Sequence, residues 1–144
     1  MKKASALILN LVLSLSAFTK TAFIGSCILQ YLMLGRAPVS LEEVTANHRR
    51  QYSIAISTTI IGVITLITFF IWIYQTKKRV INAGMKHAEY SPGFSIGCFF
   101  IPFANIILPY KSLSELWKGS LCLTDWRSKS TTPLLGFWWF CWLS

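Results

Sequence analysis

A chain of 144 residues holds one domain at most, and 53% of this one is hydrophobic while only 13% is charged. Soluble domains carry about 25% charged residues, so with a mean hydropathy of +0.52 the composition argues against a water-soluble fold. The formal charge of +9 reads as the Lys/Arg bias of cytoplasmic membrane loops, and the lack of a zinc pattern or of a basic helix free of apolar spans excludes a nucleic-acid partner.

Met1-Lys2-Lys3 followed by the apolar run from Ala4 to Ala17 has the form of a secretory leader. Apolar character resumes from Ala22 to Leu34, which favours an uncleaved first span over about residues 13–34. Lys20 inside it is expected to snorkel, its stem carrying the ammonium to the headgroups. Gly35-Arg36-Ala37-Pro38 ends the span. Ser40-Leu41-Glu42-Glu43 predicts a capping box, hydroxyl and carboxylate satisfying first-turn amides in both directions. The next breakers are Gly62 and Gly84, so one long helix is predicted from Leu41 to about Ala83, crossing a bilayer over about residues 53–74. Thr58 and Gly62 form a small-residue pair that would seat a neighbouring helix. Trp72 and Tyr74 stand where an aromatic belt belongs, and Lys77, Lys78 and Arg79 follow as a lipid-facing basic cluster at a cytoplasmic exit.

The stretch from Ser91 to Trp117 is the least like a soluble helix. Phe94 to Leu108 is almost wholly apolar, yet shorter than the roughly 20 residues a spanning helix takes. Pro102 interrupts it and Pro109 closes it, which predicts a broken segment, re-entrant or interfacial. Each proline withdraws a backbone donor, and the Asn105 amide is expected to satisfy a freed carbonyl or to bond a neighbouring span. Ser112-Leu113-Ser114-Glu115 repeats the capping-box pattern and predicts a short interfacial helix with Leu113, Leu116, Trp117 and Leu121 on one face. After the polar loop from Trp126 to Ser130, Thr132 reads as an N-cap with Pro133 at the first helical position. Residues 133–143 then begin a third span. They amount to half a crossing, so the chain is expected to be a fragment of a longer four-span protein or a truncated copy.

Within this stretch, Ser91-Pro92-Gly93-Phe94, Gly97, Phe100-Ile101-Pro102, Asn105, Pro109-Tyr110 and Glu115-x-Trp117 resemble the bacterial membrane-protein family called domain of unknown function 4328. Trp72-Ile73-Tyr74 with Lys78 and Gly84 upstream, and Leu134-Leu135-Gly136-Phe137-Trp138-Trp139 downstream, are similar to the same family. The resemblance covers roughly Ile54 to the C-terminus, with Gln75 and Arg79 standing where the family usually has Arg and Asn. It implies a multi-pass architecture and a candidate motif of Pro92, Gly93, Gly97, Pro102, Asn105, Pro109, Tyr110 and Trp117. It implies no particular activity.

The reactive residues are few. Cys27, Cys98, Cys122 and Cys141 form no C-x-x-C pair and read as packing residues. By the span assignment Glu42, Glu43 and His48 lie across the bilayer from His87, Glu89, Glu115 and Asp125, so the two histidines cannot share a metal. A His87, Glu89, Glu115 cluster has no spacing with known mechanics, and neither a phosphate-cradling Gly loop nor a nucleophile elbow is present. No catalytic, metal or cofactor-binding residue is assigned, and no enzyme is expected. The reading is an all-α integral membrane protein with two transmembrane helices, a broken segment and the start of a third span. Its expected function is a non-enzymatic module assembling with itself or with other membrane proteins. The alternative is small-solute or ion permeation through the break at Pro102, Asn105 and Pro109. The Lys/Arg balance predicts a bacterial inner-membrane protein with its N-terminus cytoplasmic, residues 36–51 outside and 77–132 inside. Membrane lipids are its expected partners.

Overall fold

The loop from Gly35 to Ser40 separates two long helices. A computed structural model describes residues 2–36 and 38–143, with side chains from Ala6 onward. Met1, Ala37 and Ser144, which carry parts of the expected leader, span exit and terminus, lie outside the described residues, as do the Lys2 and Lys3 side chains. Every regular element described is helical: α1 (Lys2–Leu34), α2 (Leu41–Asn82), α3 (Phe94–Gly97), α4 (Leu108–Leu121) and α5 (Pro133–Leu143), with single 3-10 turns at Ala104–Ile106 and Trp126–Ser128. Two helices, α1 from Ala6 and α2, are long and apolar enough to cross a membrane. The chain forms two compact units, residues 1–69 and 70–144.

In the first unit the less exposed positions of α1 are Leu9, Val12, Ser16, Thr19, Ser26, Gln30 and Met33, and those of α2 include Asn47, Gln51, Ile54, Thr58, Ile61, Thr65 and Thr68. Steps of three and four keep one stripe on each helix in register, as in a coiled-coil seam. Here the stripe is mainly hydroxyl and amide, while Leu7, Leu11, Phe18, Ile60, Val63 and Ile67 are exposed. Polarity inside and hydrocarbon outside reverses the soluble pattern. Three of the hydroxyls bond within their own helix: Thr19 donates to the Ser16 carbonyl, Thr65 to Ile61 and Thr68 to Ile64. Longer side chains tie the helices. Arg50 Nε donates to Ser26 Oγ at 3.1 Å, and Gln51 Nε2 donates to the Ser26 carbonyl at 3.1 Å and to Gln30 Oε1 at 2.8 Å.

The caps of α2 are those the sequence predicts. The Ser40 amide donates to Glu43 Oε2 at 3.0 Å, and the Glu43 amide donates to Ser40 Oγ at 3.2 Å. At the other end Gly84 has φ +105°, a conformation that favours glycine. Its amide donates to the Ile81 carbonyl and that of Met85 to Val80, the two bonds of a Schellman motif. The small-residue pair fares differently: Thr58 Oγ1 is buried without a hydrogen-bond partner, and a Cβ at Gly62 would meet open space.

In the second unit α4 is the central element, and it corrects two expectations. Pro109 lies in its first turn rather than closing the preceding segment, because a proline at the start of a helix withdraws an amide that has no partner there anyway. Ser112 and Glu115 are therefore interior to the helix and cap nothing; Ser112, Leu113, Ser114, Glu115, Leu116 and Gly119 are all buried. The expected apolar face is split, since Trp117 and Leu121 are exposed. Gly119 is where α4 meets the end of α2: a Cβ there would fall 2.7 Å from Met85 Sδ and 3.1 Å from Val80 Cγ1, the apolar pair of the Schellman turn.

Candidate functional site

Three polar side chains of α4 each hold a different neighbour. Ser112 Oγ donates to Ser95 Oγ of α3 at 2.7 Å, and Ser95 Oγ donates on to the Ser91 carbonyl. Ser114 Oγ and Thr131 Oγ1 share a hydrogen bond of 2.8 Å just before α5. Glu115 does most. Its Oε2 accepts Lys77 Nζ at 2.7 Å and the Tyr90 amide at 3.3 Å, while Oε1 accepts the Glu89 amide at 2.7 Å. The Lys77 side chain is fully buried and that of Glu115 is 3% exposed.

This overturns the place given to Lys77 in the lipid-facing cluster. Consecutive helical residues point about 100° apart, so Lys77 shares the inward face of fully buried Ile73 while its neighbours point elsewhere. Lys78 is exposed, with Nζ 6.0 Å from the Tyr74 ring centre. Arg79 Nη2 donates to Gln75 Oε1 at 3.2 Å, so the two departures from the family pattern pair with each other. Lys77 lies beyond the apolar run at 53–74. Burial pulls its ammonium below the ordinary value, opposed by the hydrogen bond and charge of Glu115. Tyr90 is pushed up, first by burial and then by the Glu89 and Glu115 carboxylates.

In front of Glu115 lies a hollow of about 350 Å³. Lys111 and Lys118 come to it from α4, two turns apart, and Arg127 from the Trp126 turn, while Tyr90, Tyr110 and Trp126 give it aromatic walls. The Trp126 indole donates to the Lys86 carbonyl at 2.9 Å, and the Arg127 guanidinium stands 5.1 Å from the Trp126 ring centre. Arg127 also meets Glu89 at 3.3 Å, but both side chains are more than half exposed. Of the eight motif residues only Tyr110 lines this hollow. Pro109 is buried within α4, Pro92 and Gly97 are half-buried, and Gly93, Pro102 and Trp117 are exposed.

The break expected at Pro102 is present, between α3 and α4, with Phe103 at φ +64° and almost fully exposed. Asn105 Oδ1 is buried without a hydrogen-bond partner, so the amide does not bond a neighbouring span through its oxygen. The carbonyl satisfied here is that of Ile106, which accepts the Trp139 indole of α5 at 3.0 Å. An indole is a donor with a rigid reach, and it arrives from 33 residues away, which local sequence reasoning does not foresee. Among the described residues no disulfide joins any of the four cysteines.

A family model described as Domain of unknown function (DUF4328) matches residues 35–144. The chain belongs to this family. No curated protein and no solved structure matches it. The DUF4328 match takes in α2 to α5, the Lys77–Glu115 pair and the hollow, and leaves α1 outside it. It begins earlier than the motif resemblance, which starts near Ile54.

Proposed function

We propose that this DUF4328 chain is a non-enzymatic, multi-pass module of a bacterial inner membrane, N-terminus cytoplasmic, that assembles with itself or with other membrane proteins. The observation that carries the reading is the inverted polarity of α1 and α2, hydroxyls and amides on the seam and hydrocarbon outside. In lipid, polar groups are satisfied between or within helices and apolar ones face the acyl chains. Leu134, Phe137 and Phe140 of α5 are exposed as well, and an apolar helix surface of this kind needs lipid or another membrane chain as cover. Lys78 is placed to meet headgroups.

The hairpin also bears on depth. Arg50 and Gln51 bond Ser26, and both helices rise 1.5 Å per residue, so the α1 position level with Ser53 is about residue 24. Residues 53–69 of α2 would then lie level with about residues 8–24 of α1, so α1 meets the bilayer boundary near residue 24 and not near residue 34. Lys20 would sit roughly 6 Å below that boundary, within reach of snorkelling.

Orientation is tested by labelling intact cells with a membrane-impermeant thiol reagent, the four native cysteines being replaced. Ala46→Cys is expected to react and Ala88→Cys to stay silent; the reverse would refute the orientation. Cross-linking in native membranes should give species heavier than one chain, and a single-chain band throughout would remove the assembly reading. Permeation is the second reading, favoured by the unpartnered Asn105 Oδ1 beside the break. A solute flux in liposomes that Asn105→Leu abolishes would establish it instead.

A further inference from the structure

We infer that the hollow in front of Glu115 captures a phosphate-bearing anion. The charges around it are unequal in availability. Glu115 is neutralised from behind by Lys77 and by two backbone amides, so it presents little negative field. Glu89 holds Arg127 through one 3.3 Å contact between exposed groups, the kind of pair that is worth little and exchanges readily. Lys111 and Lys118 have no carboxylate within 4 Å among the described residues. Seven residues apart on one helix, they stand about 10 Å apart along its axis and flank the hollow. Guanidinium and ammonium donors are the usual phosphate ligands, and an anion entering here replaces the Glu89 carboxylate on Arg127.

The size agrees. About 350 Å³ is at the low end of small-ligand pockets, roughly 300–1,000 Å³, enough for a phosphate with a glycerol or sugar attached. Two sources share this chemistry, a phospholipid headgroup and a soluble phosphate. The lipid is the nearer one, because exposed Phe103, Ile106 and Ile107 immediately precede α4, so an acyl chain lying along them would bring its headgroup to Tyr110 and Lys111. Capture rests only on the geometry of residues 77–127; the choice of source leans on the membrane reading.

The experiment is native mass spectrometry of the full chain in detergent, titrated with phosphatidylglycerol, phosphatidylcholine and inorganic phosphate. Phosphatidylglycerol is expected to bind about tenfold more tightly than phosphatidylcholine, with Lys111→Ala/Lys118→Ala erasing that preference. Glu89→Gln should strengthen binding about threefold by releasing Arg127, whereas Arg49→Ala, in the other unit, should change it less than twofold. Phosphate binding with the same variant pattern but no lipid preference would keep the anion site and remove the lipid source. If the double lysine variant binds like Arg49→Ala, or if Glu89→Gln fails to strengthen binding, the proposal is overturned. Glu89→Gln alters only an exposed side chain, so that arm decides even if the double variant does not fold.

Discussion

Lys77 and Glu115 show how far a single residue's neighbours in sequence can mislead. In sequence Lys77 opens a run of three cations and Glu115 closes a capping box; in the structure they form one buried ion pair. A hint was present, because Phe70, Ile73, Lys77 and Val80 follow the three-to-four spacing of one helix face. What the spacing lacked was the partner, 38 residues away. Removing one member of a buried pair leaves a charge uncompensated and costs about 3–5 kcal/mol. Lys77→Met is therefore expected to lower the thermal transition in detergent sharply. The double change Lys77→Met/Glu115→Gln should recover part of that loss, because it removes the stranded charge while the glutamine oxygen still accepts the Glu89 amide. A double variant no more stable than Lys77→Met would show that the pair's charge is not the source of the cost.

Helix ends were legible where the capping residues bond within their own first or last turn. Ser40 with Glu43, and Gly84, ended α2 where expected, because all their partners lie within five residues. Ser112 to Glu115 has the same letters and a different fate, since Pro109 had already started the helix. The Ser40–Glu43 cap carries a pH dependence. The Glu43 carboxyl is held below its usual range, chiefly by the Ser40 amide and then by the Ser40 hydroxyl. A depressed carboxyl stabilises the folded turn above its unfolded pKa, ordinarily about 4.3, and that contribution is lost as pH falls through the folded value. The Ser40 amide resonance should thus stay constant near neutrality and shift in acid below about pH 4. A signal that does not move on acidification would show that the carboxylate is not its acceptor.

Across the whole molecule, the polar seam and apolar exterior of the α1–α2 hairpin make the depth question testable. Leu29 is exposed on α1. It lies inside the bilayer if residues 13–34 span, and about 7 Å outside its apolar core if the hairpin register sets the depth. In the same cysteine-replaced background, Leu29→Cys is expected to react with the impermeant reagent and Leu15→Cys to remain protected. Protection at both positions would restore the 13–34 span.

Composition and periodicity alone determined the all-helical class, the two long apolar helices, both caps of α2, the break at Pro102 and the start of α5 at Pro133. Each follows from interactions within a few residues, or from a helix's own surface, so the local chain contains the information. The Lys77–Glu115 pair, the seat of Met85 on Gly119, the indole of Trp139 on the Ile106 carbonyl and the cationic hollow were decided only by tertiary structure. The first three join residues 33 to 38 positions apart, and a lone lysine, glycine or tryptophan does not name the distant group it will meet once the chain has closed.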